Sequence, residues 1–441
     1  MNQQKYSIFT TIAMIVGIVI GSGIFFKSDN VLVYTSGNIL LGIIVFVIAA
    51  FSIIFGSLSI SELASRTDVA GGIVTYCETY WNKSIACAYG WFQTFIYYPT
   101  IICVVAWVSG IYITMLFGIE STLEIQVLIG LIVITVLYLI NLFSYKVGGY
   151  FQNASTIIKL VPLIIIAAAG IIFGNPIPVI QNNFNTATQV GLSWVAAIGP
   201  IAFSFDGWIV STSICHEIKN SKRNLPLALI ISPIIILTIY VLYFIGISTF
   251  LGADKVMNMG DTHVNEAAIR LFGEMGARLI LTFIVISVLG TVNGVIIGMI
   301  RMPYSLSIRN MFPKSSKYNV VSEKYSVPIK SGIITYIINI TWMIIHYITQ
   351  KFNMLPNSDV SEISIVINYI GFILMYIAVI NLARKGDIKN KVKGYVVPVL
   401  AIIGSLFILY GGMQNPLFIY YALFCITVIV LALVYYEKTK K

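Results

Sequence analysis

Charge is what this chain of 441 residues has least of: Asp, Glu, Lys and Arg make up 10% of it, against 58% hydrophobic residues. A soluble domain of this length would carry about a quarter charged residues. A water-facing globule is therefore excluded, and a chain solvated mostly by lipid is left. Histidine is scarce, with His216, His263 and His346 scattered along the sequence. The five cysteines, Cys77, Cys87, Cys103, Cys215 and Cys425, lie at neither paired nor metal-like spacing, so no zinc site or disulfide framework organises the chain. No His-Glu-x-x-His run and no convincing nucleophile–base set is present, so the chain is not read as an enzyme, and no metal or cofactor is expected.

Long apolar runs are abundant. A bilayer core about 30 Å thick needs roughly 20 apolar residues per helix. Hydrophobic windows predict helices over Ser7–Phe26, Ile39–Ala64, Ile85–Phe117, Ile125–Phe143, Phe151–Phe173 and Gly191–Cys215. Six more follow over Leu227–Phe250, Leu279–Tyr304, Ser331–Thr349, Ile363–Leu382, Val397–Tyr410 and Pro416–Tyr436. The opening MNQQKY run has no A-x-A-like cleavage site, and its apolar stretch is expected to remain as the first helix. Twelve crossings put both termini on one side. Most of the 27 Lys and Arg residues, including Arg384, Lys385, Lys389, Lys391 and Lys393, then fall on that same side. This is the positive-inside pattern. The basic excess is an orientation signal for a cell membrane, not a mark of nucleic-acid binding.

Two of these helices are irregular in the same way. The first carries Gly21-Ser22-Gly23 inside an apolar run, and the sixth carries Gly199-Pro200 followed by Phe203-Ser204-Phe205-Asp206-Gly207-Trp208. Glycine and proline are unfavourable inside helices, and irregular backbone at membrane depth survives only where protein or a water-filled cavity surrounds it. Close helix packing explains the small residues of either helix alone. Two interrupted helices five crossings apart point instead to inverted repeats with a binding site at the breaks.

A break frees N–H groups on one side and carbonyls on the other. The first end suits anions and the second cations, so facing breaks are matched to the carboxylate and ammonium of an α-amino acid. In this reading Ser22, Gly23 and Ile24 offer amides to the carboxylate. Carbonyls near Ile18, Val19, Ala202, Phe203 and Phe205 receive the ammonium, and glycine at 21 and 23 permits close approach.

The run from Val16 to Phe25, Val-Gly-Ile-Val-Ile-Gly-Ser-Gly-Ile-Phe, resembles the first-helix signature of the L-amino-acid transporter branch of the amino acid–polyamine–organocation superfamily. Phe203-Ser204-Phe205-Asp206-Gly207-Trp208 is similar to that branch's sixth-helix motif. Glu217-Ile218-Lys219-Asn220 with Arg223-Asn224-Leu225-Pro226 resembles its cytoplasmic segment. Glu62-Leu63, Gly71-Gly72, Tyr76, Gly290, Asn293 and Arg301 extend the likeness, which is nearest to bacterial serine/threonine and alanine–serine–cysteine exchangers.

The resemblance implies an all-α integral membrane fold of the LeuT type. Its five-plus-five inverted repeat would span residues 1–173 and 191–382, with helices 1 and 6 broken and two helices appended over 397–436. It also implies sodium-independent exchange of amino acids, with Phe203 as the aromatic that closes over substrate.

Lys159 lies about 12 Å along its predicted helix from Phe151, near the middle of the membrane, where a lysine usually faces a cavity or a partner. By resemblance its ammonium stands where sodium-coupled relatives bind sodium. It would contact carbonyls near Gly21 and Ser22 and the eighth helix from Ser287 to Asn293. Two alternatives stay open: a fixed surrogate cation, or a group that exchanges a proton and couples transport to it. Glu62, Glu217 and Arg301 fall at cytoplasmic helix ends, where salt bridges are expected, with Arg301 and Glu217 as candidates for an inner gate. Asp206 is read as a cap on the second half of the broken sixth helix.

No further charged side chain is aimed at a substrate side chain, which favours neutral substrates, and by resemblance small ones: alanine, serine, threonine and cysteine. Tyr97, Tyr98, Pro99 and Thr100, with Tyr369 and Phe372, are expected to narrow the pocket. The loop Gly118–Glu124 has no cysteine, so no disulfide-linked heavy subunit is expected. A proton-coupled symporter and a membrane amino-acid sensor are the competing functions, the latter disfavoured because neither terminus carries a signalling segment.

Overall fold

The computed structural model describes residues 6–67, 69, 71–355, 358–415 and 417–439. It is all-helical: no strand occurs among the described residues, and one isolated bridge joins Tyr6 to Ile218. Among the described residues, eleven helical segments are long and apolar enough to cross a membrane. A further crossing is made by two short helices, α1 (Ile8–Val19) and α2 (Ser22–Tyr34).

The chain continues through α3 (Ile39–Ala64), α4 (Ile73–Tyr80) and α5 (Lys83–Phe92), a π-helical turn at Gln93–Tyr97, then α6 (Tyr98–Phe117), α7 (Leu123–Phe143), α8 (Tyr145–Phe173) and a surface helix α9 (Pro176–Thr186). The sixth crossing is a 3₁₀ turn at Ser193–Ala197, α10 (Ile198–Ser204) and a 3₁₀ segment at Trp208–Glu217. After it come α11 (Ser221–Leu251), α12 (Ala253–Met259), α13 (His263–Ser307), α14 (Ser315–Tyr318), α15 (Ile329–Lys351) and α16 (Glu362–Arg384). A π turn at Val392–Val396 leads into α17 (Val397–Gly412), and α18 (Phe418–Thr439) closes the chain.

Local chemistry sets many of these boundaries. Side chains of Ser7, Asn38, Asn82, Thr122 and Ser144 accept backbone N–H bonds at the starts of α1, α3, α5, α7 and α8, filling donors that a helix start leaves open. Gly118 ends α6 in the left-handed region (φ 63°), the usual glycine stop. The kink at Gly273 (φ 68°) inside α13 separates its membrane part from an outer extension.

The predicted first helix needs correction. It does not stop at Phe26; it breaks at Ile20–Gly21 and resumes as α2 to Tyr34. Lys27, Ser28 and Asp29 ended the apolar window, but they are buried in protein and so can continue a helix at membrane depth. The predicted fifth helix likewise starts at Tyr145 rather than Phe151.

The broken crossings pack on each other. α1 lies against Trp208–Glu217 and α2 against α10, while α8, α11 and α13 surround α1. Small residues permit these approaches. A Cβ on Gly170 of α8 would sit 2.1 Å from the Gly246 Cα of α11, and one on Gly246 would sit 2.6 Å from the Ala167 Cα. Backbone meets backbone here, the geometry that drives helix association in lipid. Gly246→Val is expected to destabilise the fold by about 1–3 kcal/mol through overpacking, read as a midpoint several degrees lower in thermal unfolding of the detergent-solubilised protein. An unchanged midpoint would show that this contact yields without cost.

Candidate functional site

Where the half-helices meet, a narrow cavity of about 20 Å³ opens between Ile18, Val19, Gly21 and Gly23 on one side and Phe203, Asp206 and Gly207 on the other. Ile101 and Val105 of α6, Thr291 and Val295 of α13 and Ile365 of α16 complete its wall. Its backbone comes close by necessity. A Cβ on Gly21 would meet Thr291 Oγ1 at 2.4 Å, and one on Gly23 would meet the Ser204 Cα at 2.7 Å. Gly207, at φ +91°, holds a conformation that side chains rarely adopt and lies against Ile18.

The freed backbone groups of α1 are taken up by two side chains. Lys159 Nζ, fully buried, donates to the Gly17 carbonyl at 2.5 Å, the Ile20 carbonyl at 2.6 Å and Thr291 Oγ1 at 3.3 Å. These are last-turn carbonyls, which point past the end of α1. Of the carbonyls expected near Gly21 and Ser22, the one bonded is that of Ile20, next to Gly21, and Gly17 one turn earlier is the second partner. The contact with the eighth crossing falls on Thr291, whose hydroxyl donates to the Ser287 carbonyl at 3.4 Å.

Tyr240 of α11 donates its hydroxyl to the Val19 carbonyl at 3.0 Å and the Ser204 carbonyl at 2.7 Å. It thereby ties the two breaks together. Sequence reasoning missed Tyr240, since one tyrosine in a long apolar helix carries no local irregularity.

The N–H end is arranged differently. Gly21 is the N-cap of α2 and supplies no side-chain bond, so the first-turn amides Ser22, Gly23 and Ile24 depend on something other than a cap. The Ser22 side chain lies outside the described set.

Of the remaining predicted residues, Phe203 lines the cavity, whereas Phe205 turns away to pack edge-on against Phe46 and Tyr240. Ala202 and Ile24 are buried beside the cavity and do not line it. Tyr98 lines a second, lower cavity with Gln93, Ile209 and Met302, its ring 3.1 Å from where a Cβ on Gly298 would stand. Ser287 and Asn293 do not bond Lys159. Asn293 instead joins Asn141, Gly148 and Gln152 in a buried amide network below it. The expectation that Tyr97, Tyr98, Pro99, Thr100, Tyr369 and Phe372 narrow the pocket is corrected: none of them is among its lining residues, Thr100 bonds Ser364, Tyr369 and Phe372 pack on each other, and Ile101, Val105 and Ile365 do the narrowing.

Asp206 has a partner that the capping reading did not include. Its Oδ2 accepts from the Tyr97 hydroxyl at 2.6 Å, brought there by the π turn in the third crossing, and its Oδ1 has no partner among the described residues. A carboxylate therefore lines the cavity. Glu62 is salt-bridged to Arg66 and Lys393, as its place at a helix end suggested. Arg301 donates to the Ile297 carbonyl; the Glu217 side chain, its suggested gate partner, lies outside the described set. Among the described residues no group of His, Cys, Asp and Glu is placed to hold a metal ion.

Sequence reasoning also missed three charges above the cavity. Lys27 Nζ stands 2.7 Å from Glu362 Oε1 and 3.5 Å from Asp359 Oδ2, and 5.6 Å over the Phe203 ring. The signal was there, a lysine just past an apolar window, but ending the helix at Phe26 put it in a loop.

Comparison with known proteins agrees with this architecture. A family model described as amino acid permease matches residues 6–434. The serine/threonine exchanger SteT of Bacillus subtilis (strain 168) is 28% identical over 419 residues, covering 92% of this chain and 90% of that protein. The b(0,+)-type amino acid transporter 1 of Mus musculus is 26% identical over 448 residues, 98% of this chain and 87% of its own length. The cystine/glutamate transporter of Homo sapiens is 26% identical over 319 residues, 71% and 62% respectively.

The Tyr240 bridge yields a direct expectation. Two neutral hydrogen bonds of about 0.5–1.5 kcal/mol each depend on one hydroxyl. Tyr240→Phe should therefore weaken substrate binding by roughly ten-fold, read by scintillation proximity or calorimetry on purified protein. Unaltered affinity would mean that the bridge does not support the bound geometry.

Proposed function

The chain belongs to the amino acid permease family, within the amino acid–polyamine–organocation superfamily, and on that premise we propose that it exchanges small neutral L-amino acids across the cell membrane without sodium. That it is a multi-pass amino-acid transporter follows from the family and its membrane helices. The finer reading is carried by one observation: the Lys159 ammonium held on the Gly17 and Ile20 carbonyls. A carbonyl-lined helix end attracts a cation, and here a tethered side chain supplies it, so no ion has to be recruited.

In this reading the substrate carboxylate takes the first-turn amides of α2 and its ammonium takes carbonyls at the ends of α1 and α10, around Ile18, Val19, Ala202, Phe203 and Phe205. Phe203 covers it. The narrowness of the cavity and its branched aliphatic wall favour a short side chain, such as that of alanine, serine, threonine or cysteine. Asp206 Oδ1, left open by Tyr97, is placed to accept from a substrate hydroxyl, which favours serine and threonine among them. Alternation would move the broken crossings of the two repeats, 1–173 and 191–382, against the rest, with 397–436 outside the repeat. Both termini lie in the cytoplasm by the positive-inside pattern, and the protein works without a disulfide-linked heavy subunit.

A second reading, proton-coupled symport, has one observation in its favour. The acceptors around Lys159 are all neutral, and no carboxylate fixes its charge.

The deciding measurement is uptake of labelled L-serine into proteoliposomes with and without an unlabelled neutral amino acid inside. Exchange predicts uptake only into preloaded vesicles, indifferent to sodium and to a proton gradient. Uptake into empty vesicles driven by inward protons would replace exchange by symport, and binding without either would make the protein a sensor. Lys159→Ala should reduce exchange to near background; normal exchange in that variant removes Lys159 from the mechanism. Asp206→Asn should raise the KM for serine about ten-fold or more, the worth of a hydrogen bond to a charged group, and leave alanine little changed. Equal effects on both substrates would take the serine hydroxyl away from Asp206.

A further inference from the structure

Between the fifth and sixth crossings the chain carries no charge: from Leu160 to Phe205 there is no Asp, Glu, Lys, Arg or His. Within that stretch lies the surface helix α9, Pro176–Thr186. Membrane helices fix it at both ends. α8 stops at Phe173, and Gly174 and Asn175, the latter left-handed at φ 48°, turn the chain before Pro176 starts α9. Toward its other end, Asn183 Oδ1 accepts the Ile39 N–H at 2.6 Å, and Asn38 Nδ2 donates to the Asn183 carbonyl at 2.8 Å and to Thr186 Oγ1 at 3.4 Å. Ile39 is the first residue of α3. α9, roughly 16 Å long, therefore runs from the end of one crossing to the start of another and lies along the membrane surface.

Its side chains fall on three sides. Asn183 and Thr186 turn to α3, and Val179 packs on the core. Asn182 and Asn185, three apart, are exposed. Ile177 and Phe184, seven apart and so two turns along one side, are 70% and 72% exposed. The adjoining end of α8 leaves Ile172 and Phe173 exposed too, on a helix long and apolar enough to cross the membrane. We propose that α9 is an interfacial anchor, lying in the outer lipid–water boundary with Ile177 and Phe184 in lipid and Asn182 and Asn185 toward water. The assignment of the outer side rests on the reading above, with both termini in the cytoplasm. Three observations carry the choice of lipid as partner: the apolar side adjoins the lipid-facing end of α8, both ends of the helix sit at crossing ends, and no charge has to be desolvated. Anchoring is then set by burial alone, unlike the basic amphipathic helices that seek anionic headgroups. α9 is also part of the only covalent link between the two proposed repeats, so the anchor holds the entry to the sixth crossing at the membrane surface.

The test reads depth and needs no transport. Full-length protein with Phe184→Cys, and separately Asn182→Cys, carries a nitroxide on the added thiol in phosphatidylcholine proteoliposomes. The parent without the added cysteine sets the background; Cys77, Cys87, Cys103 and Cys425 are buried. Collisions with oxygen, which concentrates in lipid, are compared with collisions with a water-soluble nickel chelate. The label at position 184 should lie about 5–10 Å inside the boundary and favour oxygen, while that at 182 should favour nickel. Nickel-dominated collisions at 184 would place the apolar side in water and overturn the proposal. Few collisions with either reagent would mean a protein cover, such as a second copy of the chain, and would overturn it equally. Ile177→Cys lies on the same side and repeats the reading if Phe184→Cys does not insert; a label there that is wet, or shielded from both reagents, refutes the anchor by itself. Depth should be the same in vesicles containing anionic phosphatidylglycerol. Insertion in those vesicles alone would trace the contact to headgroup charge, against an uncharged anchor.

Discussion

No water inside a bilayer completes a broken backbone hydrogen bond, and every feature around the cavity answers to that constraint. α1 ends at Val19 and α2 starts at Ser22, while α10 ends at Ser204. Each end leaves carbonyls or amides that must find partners within the protein. The carbonyl ends have theirs: Lys159 serves Gly17 and Ile20, and Tyr240 serves Val19 and Ser204. Thr291 touches both Lys159 and the space beside Gly21. Three side chains from the fifth, seventh and eighth crossings thus hold in place a break in the first.

The amide end is left otherwise. Gly21 has no side chain to cap α2, and any larger residue there would collide with Thr291. The glycine that lets the backbone pass also denies it a cap. Acceptors satisfied by protein and donors left to face a cavity make an anion-seeking site, with carbonyls nearby that retain a second lone pair for an ammonium. The proposed amino-acid site is in this sense the unfilled remainder of the hydrogen-bond accounting at the break.

How much of this could be read from the sequence divides along a physical line. Helices facing lipid announce themselves by composition, and Ile39–Ala64 matches its hydropathy window to the residue. The breaks were visible because glycine and proline there contradict their surroundings, and Lys159 because a lysine does. Tyr240 and Ile365 were not, since each is an ordinary residue in an ordinary helix and acquires its role only when packing brings it to the cavity; Thr291 was inside the stretch expected to meet Lys159 without being singled out. Lys27 shows a different failure. A hydropathy window treats charge as the end of a membrane helix, yet the charges of Lys27, Asp359 and Glu362 are partnered by protein, and α2 runs on past them. Asp206 was noticed as a cap, but its bond from Tyr97 was not legible until the π turn at Gln93–Tyr97 was known to carry that hydroxyl onto it.

The tethered ammonium also bears on why a protein of this construction would exchange rather than pump. A coupling ion that leaves when the site opens changes the charge at the break between the loaded and unloaded states. In the exchange reading Lys159 cannot leave and keeps its proton, so that charge stays constant and the substrate zwitterion is the only component that differs. The cavity wall is mostly aliphatic, with Ile18, Ile101, Val105, Val295 and Ile365, and its polar side chains are Thr291 and Asp206. In the proposed mechanism each first-turn amide of α2 left buried without the carboxylate would cost about 1–3 kcal/mol, and two or three of them would slow the return of an unloaded carrier by several powers of ten. A bound carboxylate removes that cost on both sides of the membrane. In the proposed mechanism obligatory exchange needs no separate lock; it follows from leaving one end of a broken helix for the substrate to complete.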